Sequence, residues 1–198
     1  MEPKVFIIGC WIVFFSYIIC SIPFGFILTK IFLKKDIRKI GSGNIGATNA
    51  LRTGNKILGY STLSLDILKA IIPILLINFY FPEYIFVSSL SVFLGHIFPV
   101  WLRFKGGKGV ATYVGILFCL NFMLGIMFVV TWFLIYLVFK FSSLSSLIAS
   151  LIIPIYQFYY VDDKNYYFYI IMFILIFFTH RENIKRLINK TESKTKIY

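Results

Sequence analysis

The sequence predicts an all-α integral membrane protein of seven transmembrane helices, with its N-terminus outside and its C-terminus in the cytoplasm. Three observations carry that reading. The 198 residues are 59% hydrophobic and only 14% charged. The apolar residues fall into runs long enough to cross a hydrocarbon core of about 30 Å, which takes about 20 residues of helix. The basic residues, which outnumber the acids 20 to 8, crowd into a few of the segments between those runs.

The same figures exclude other classes. A nucleic-acid-binding domain would account for a net charge of +12, but not for an aromatic share of 20% or a mean hydropathy of +0.85. Disorder fails for the opposite reason, because so much apolar surface cannot stay solvated. Cys10, Cys20 and Cys119 lie inside apolar runs, are odd in number and form no Cys-x-x-Cys pair. Neither a disulfide framework nor a zinc site is expected from them.

The first span covers residues 5–28; it is too long for a signal peptide and no small-residue cleavage site follows it. Residues 57–81 and 84–102 come next, parted by Phe81-Pro82-Glu83. Residues 110–139 are apolar throughout, and residues 144–161 and 166–179 complete the set. Charge decides whether 110–139 is one span or two. The loop after the first span holds Lys30, Lys34, Lys35, Arg38, Lys39, Arg52 and Lys56, which marks it as cytoplasmic. Arg103, Lys105 and Lys108 lie two spans later, on the same side. The tail holds Arg181, Lys185, Arg186, Lys190, Lys194 and Lys196. One span in 110–139 would turn that tail outward, against the positive-inside rule. Two spans, 110–123 and 125–139 with a turn near Asn121–Gly125, keep it inside together with Lys140. Glu2, Glu83, Asp162 and Asp163 then face outward with Lys4 and Lys164. The chain reads as a single polytopic domain, residues 1–198.

Polar chemistry is confined to three segments at the cytoplasmic helix ends. The first runs from Ser21-Ile22-Pro23-Phe24-Gly25 to the loop Gly41–Arg52. The second is Gly95-His96-Ile97-Phe98-Pro99, then Phe104–Thr112; the third is His180–Leu187. Gly41–Gly46 spells G-x-G-x-x-G, but a dinucleotide fold needs a preceding strand and a βαβ unit, and here a transmembrane helix precedes. Gly107-Lys108 resembles the end of a P-loop, yet Gly109 replaces the Ser or Thr and Leu102 replaces the first Gly.

What survives is physical. Glycines let a backbone approach a ligand, and a helix start flanked by Lys105 and Lys108 attracts anions. Ser42, Asn44, Thr48, Asn49 and Arg52 supply hydroxyl, amide and guanidinium donors suited to phosphate oxygens. Basic residues alone would fit a loop touching anionic lipid heads; two donor-rich, glycine-rich loops on one face favour a dedicated phosphate site. Three acids on that face, Asp36, Glu182 and Glu192, do not suffice for a two-metal site. No Ser-His-Asp set is evident. Asp66 and Lys69 lie three apart inside the second span, an intramembrane pair read as a structural ion pair. His96 fits either a packed histidine or a site residue, while His180 and Asn183 point to a site role.

At these residues the chain resembles the acyl-phosphate-dependent glycerol-3-phosphate acyltransferases of bacterial inner membranes, the PlsY family. The resemblance runs through Ser21–Lys69, Gly95–Thr112 and His180–Leu187, and Phe141–Leu147 looks like the family's segment before its sixth helix. Ala70 and Lys190 depart from it, each standing where the family has Gly, and no role is carried onto Thr191 or Glu192. The H-x-x-x-x-D pattern of thioester-using acyltransferases is missing, since Trp101 and Lys185 fall five residues after His96 and His180.

The resemblance implies seven helices, a cytoplasmic-facing site in the inner membrane, and no metal, cofactor, nucleic acid or obligate protein partner. It implies transfer of a fatty acyl group from acyl phosphate to the 1-hydroxyl of glycerol 3-phosphate, by direct attack without an acyl-enzyme. It marks Ser42, Arg52, Lys108, His180 and Asn183 as the catalytic set. Asn44, Thr48, Asn49, Lys105, Gly106, Gly107, His96 and Ser145 are the expected substrate-binding set, with the amides of Gly106 and Gly107 offered to phosphate. The rival reading is a membrane transporter or binding protein for phosphate-bearing solutes or lipids.

Overall fold

The computed structural model describes residues 3–161 and 165–194. Glu2, Asp162, Asp163, Lys164 and Lys196, which enter the charge reading above, lie outside them. Ten α-helices account for most of the described residues, and no strand occurs among them. The chain divides into two compact units, Met1–Leu120 and Asn121–Tyr198.

In the first unit, α1 (Pro3–Cys20) and α2 (Phe24–Leu33) are separate helices. The expected first span is therefore broken at Ser21-Ile22-Pro23, because Pro23 has no N–H to donate and disfavours helical geometry at Ile22. α3 (Ala47–Leu51) is one short turn in the polar loop, and α4 (Lys56–Tyr80) is the longest helix, capped at its start by Asn55 accepting from Leu58 N–H at 3.1 Å. α5 (Ile85–Ile97) packs on α1 through buried Ser16 and Ser88, whose hydroxyls lie 2.9 Å apart. Tyr17 of α1 also donates to the Phe98 carbonyl at 2.6 Å. α6 (Val110–Leu120) packs on α4, where Gly115 lies against Ala70 and the Ile67 carbonyl. Small residues at such contacts let helix backbones approach where no water drives association.

The second unit holds α7 (Phe122–Phe139), α8 (Ser142–Tyr160), α9 (Tyr166–Thr179) and α10 (Arg181–Ile188). α8 buries Ser143, Ser146, Ala149, Ser150, Ile153 and Gln157, a helical stripe of mostly small residues, and packs on α7 and α9. Trp132 of α7 donates its indole N–H to Ser146 Oγ at 3.0 Å. The apolar 110–139 stretch is divided at Asn121, whose carboxamide accepts from Met123 and Leu124 N–H as the N-cap of α7. The turn falls at the near edge of the expected interval, so the two helices are unequal, 11 and 18 residues.

Among the described residues, five stretches are long and apolar enough to cross a membrane: Lys4–Leu33, Lys56–Tyr80, Pro82–Leu102, Phe122–Phe139 and Ser142–Tyr160. α6 and α9 are apolar but shorter.

Candidate active site

Asn49 organises the first polar loop. Its side-chain amide lies 3.1, 2.9 and 2.7 Å from the carbonyls of Ile37, Ile40 and Asn44, and its Oδ1 accepts from Ser42 N–H at 2.9 Å. Asn49 is buried and Ser42 exposed, so one inner carboxamide fixes the backbone that presents the outer hydroxyl. Gly41, at φ +53°, lies against both Asn49 Oδ1 and the Arg52 stem; a methyl there would meet Arg52 Cδ at 2.9 Å. That packing sets the stem of Arg52, half-buried at the end of α3, against Gly41, the residue before Ser42. Asn44 accepts from Gly46 N–H at 2.8 Å in a local turn, and Thr48 is half-buried on α3.

A small apolar core holds this loop to the second polar segment. Ile37, Ile45 and Ala50 bury themselves with Leu102, and Phe26 of α2 packs against them. Leu102 belongs to the turn that precedes Lys105, so the cluster brings the two donor-rich segments together. Outside the core, Asp36 pairs with Arg38, and the hydrogen bond from that guanidinium pulls its carboxyl down to about 2.

The second segment returns to α5. Gly106 N–H donates to the Ile97 carbonyl and Gly107 N–H to the His96 carbonyl, each at 3.1 Å. These are the two amides expected to face phosphate; they are engaged instead in holding the loop to the helix end. The glycines are needed for close approach, since a Cβ on Gly106 would overlap the His96 carbonyl and one on Gly107 would overlap the His96 ring. Lys105 is exposed and Lys108 half-buried at the start of α6. His96 is 3% exposed, within the protein rather than at its surface. Asp66 and Lys69 form a buried ion pair at 2.9 Å, and Lys69 Nζ also donates to the Ile22 carbonyl at 2.7 Å.

In the second unit, His180 joins α9 to α10. Its Nδ1 lies 2.8 Å from the Ile176 carbonyl. A carbonyl only accepts, so Nδ1 is the donor of this hydrogen bond. Asn183, one turn on, donates from Nδ2 to Glu192 Oε1 at 2.7 Å. Glu192 also accepts from Ser143 Oγ at 2.8 Å and from Arg186 Nε at 2.7 Å. Burial raises its carboxyl pKa, but the hydrogen bonds from Arg186, Asn183 and Ser143 outweigh burial and hold it below the usual glutamate value. Ser145 is fully buried on α8 and donates to the Phe141 carbonyl of its own helix at 2.9 Å. Glu192 is a residue to which sequence reasoning gives no role; it enters there only as one of three acids on a basic face and as part of a tail that departs from the family's pattern at Lys190.

Fold and site together define a helical integral membrane protein whose polar side chains gather at helix ends and in glycine-rich loops. The chain belongs to the glycerol-3-phosphate acyltransferase family, whose pattern matches residues 10–190, and it is an acyltransferase. It is 65% identical over 183 residues to the glycerol-3-phosphate acyltransferase of Pelagibacter ubique (strain HTCC1062), covering 92% of this chain and 95% of the relative. It is 47% identical over 180 residues to that of Mesorhizobium japonicum, covering 91% and 92%. Its fold is similar to the crystal structure of PlsY (YgiH), an integral membrane glycerol 3-phosphate acyltransferase. The glycerol 3-phosphate form of that protein superposes with a TM-score of 0.88 at 35% identity, over 95% of this chain and 96% of that one. The lysophosphatidic acid form superposes with a TM-score of 0.84 at the same identity, over 94% of each chain.

Proposed function

We propose that this chain transfers a fatty acyl group from acyl phosphate to the 1-hydroxyl of glycerol 3-phosphate, giving lysophosphatidic acid and phosphate. One observation carries the reading. The chain shares fold and sequence, over nearly its whole length, with a PlsY solved in glycerol 3-phosphate and lysophosphatidic acid forms, the substrate and product of that reaction. It acts as a single polytopic domain of seven spans in the bacterial inner membrane, α6 and α9 being the two short ones, with the site facing the cytoplasm.

The chemistry needs little from the protein beyond placement and charge. Acyl phosphate is already activated, so the glycerol hydroxyl attacks the acyl carbon directly. The new carbon–oxygen bond forms, the bond from acyl carbon to phosphate oxygen breaks, and the departing phosphate takes the hydroxyl proton. No covalent enzyme intermediate is required. Ser42, Arg52 and Lys108 bind and orient phosphate oxygens, and their donors stabilise the negative charge that builds on the acyl oxygen. His180 and Asn183 contact glycerol 3-phosphate. Asn44, Thr48 and Asn49 shape the first loop, and Lys105, Gly106 and Gly107 the second.

The test supplies purified protein with labelled glycerol 3-phosphate and one of acyl phosphate, acyl-CoA or acyl carrier protein. Lysophosphatidic acid formed from acyl phosphate alone is the expected result. Product only with a thioester donor, or no product beside solute uptake into liposomes, overturns the reading.

A further inference from the structure

We infer that His96 is a positioning residue that seats the loop of residues 105–109, with the buried Asp66–Lys69 pair packed behind its ring. Asp66, Lys69 and His96 are each less than 5% exposed. They come from two helices, α4 and α5, and they touch two breaks in the chain. Lys69 Nζ donates at 2.7 Å to the Ile22 carbonyl, at the interruption between α1 and α2. The same Nζ pairs with Asp66 Oδ1 at 2.9 Å, and that oxygen faces His96 Nδ1 across 3.9 Å, a packing contact beyond hydrogen-bond distance. The far edge of the imidazole then lies beneath Gly107. A methyl built there would overlap Nε2 and stand 2.8 and 3.0 Å from Cε1 and Cδ2. Gly107 N–H donates to the carbonyl of the same His96 at 3.1 Å.

Energetics point the same way. A buried ion pair recovers little beyond its desolvation cost, and an apolar pair of equal volume serves stability as well. An apolar pair, however, has no donor for the Ile22 carbonyl and no charge facing His96 Nδ1. The arrangement therefore acts on geometry. It links the α1–α2 break, through Lys69, Asp66 and His96, to the glycine loop that carries Lys105 and Lys108. His96 touches the loop, so its effect reaches catalysis through the position of Lys108. That last step rests on the phosphate-binding role proposed above for Lys108.

The experiment is a double-mutant cycle on the full chain in detergent, with Gly107→Ala, His96→Ala and the two combined. Gly107→Ala alone is expected to lower kcat/KM by about 10²-fold, because its methyl collides with the ring and displaces the loop. His96→Ala is expected to act mainly on KM for a phosphate substrate, raising it about tenfold with kcat little changed. With the ring gone the methyl has room, so the double variant should fall within about threefold of His96→Ala. Losses that multiply, or a His96→Ala effect on kcat alone, overturn the proposal. His96→Asn, which withdraws the ring but keeps an amide towards Asp66, serves in the same cycle if His96→Ala does not fold. The same coupling read in thermal unfolding midpoints needs no substrate. A wild-type chain that makes no lysophosphatidic acid therefore overturns the proposed reaction, while additive midpoint shifts overturn the seat.

Discussion

Asn183 donates from Nδ2 to Glu192 Oε1 at 2.7 Å, across nine residues that include the end of α10. The oxygen that receives it also receives Ser143 Oγ, and the other carboxylate oxygen takes Arg186 Nε. One carboxylate thus ties the tail to α8 and sets the direction of Asn183, whose Oδ1 is turned the other way. Glu192→Ala leaves three donors without their acceptor in a largely buried place. It is expected to cost about 2 kcal/mol of stability, the usual range for hydrogen bonds to a charged group. Activity should fall with it, and an unchanged unfolding midpoint in detergent would remove Glu192 from this role.

The same carboxylate predicts a pH dependence. Its folded-state pKa lies below the ordinary glutamate value of 4.5, so the unfolded chain takes up a proton first as pH falls. The stabilisation is present above that value and is lost as pH drops through the lower folded-state pKa. Asp36 is depressed as well, to about 2, so wild-type acid sensitivity contains both. Glu192→Gln should flatten the fall in unfolding midpoint on acidification while leaving the Asp36 part in place. Identical profiles for the two proteins would contradict the assignment.

Asn49 is the centre of the first loop, and its donors matter more than its size. Asn49→Asp keeps the shape but turns a carboxylate oxygen towards the Ile37, Ile40 and Asn44 carbonyls, where the amide now donates. Buried acceptors facing acceptors are costly, so the variant is expected to lose activity by about 10²-fold or more and to unfold earlier. Steady-state kinetics beside a melting curve checks it; Asn49→Asp at wild-type turnover would show that the loop does not depend on those bonds.

Hydropathy and charge made the helical membrane class legible, and the polar loops stood out because so little else in the chain is polar. The breaks were harder to read. Asn121 divides an uncharged apolar stretch by capping α7, and hydropathy has no term for a cap. Pro23 was visible as a residue, but apolar neighbours on both sides masked the interruption it causes. Asn49 read as one donor among several because its partners are backbone carbonyls, which every residue has. The role of Glu192 was hidden for a related reason: Ser143 lies 49 residues away from it in sequence. Gly106 and Gly107 were recognised as glycines that something must approach. That His96 is a group that approaches them depends on the return of the loop to α5.

Arg52 tests the proposed phosphate role directly. Its guanidinium offers a planar fork of donors that a lysine ammonium cannot reproduce, so Arg52→Lys is not a conservative change at a phosphate site. Removing one such donor commonly costs about 10²–10³ in rate. Arg52→Ala should fall in that range, and Arg52→Lys should recover only part of it. The Arg52 stem packs on Gly41, so both variants need a melting curve to separate catalysis from loop integrity. Near wild-type turnover for Arg52→Ala would end the assignment.

Lys190 stands where the backbone favours glycine. Lys190 has φ +57°. Thr191 N–H donates to the Arg186 carbonyl at 2.8 Å and Lys190 N–H to the Leu187 carbonyl at 3.2 Å. Those two bonds after α10 are the Schellman ending, whose left-handed residue is most often glycine because a Cβ is strained there. A non-glycine residue in that conformation costs about 1–2 kcal/mol. Lys190→Gly should therefore stabilise the chain by roughly 1 kcal/mol, less whatever glycine adds to the freedom of the unfolded state. Because the ending places Glu192 two residues later against Asn183, the variant should keep kcat and KM while raising the unfolding midpoint. A lowered midpoint would mean that the lysine side chain contributes more than its strained backbone costs.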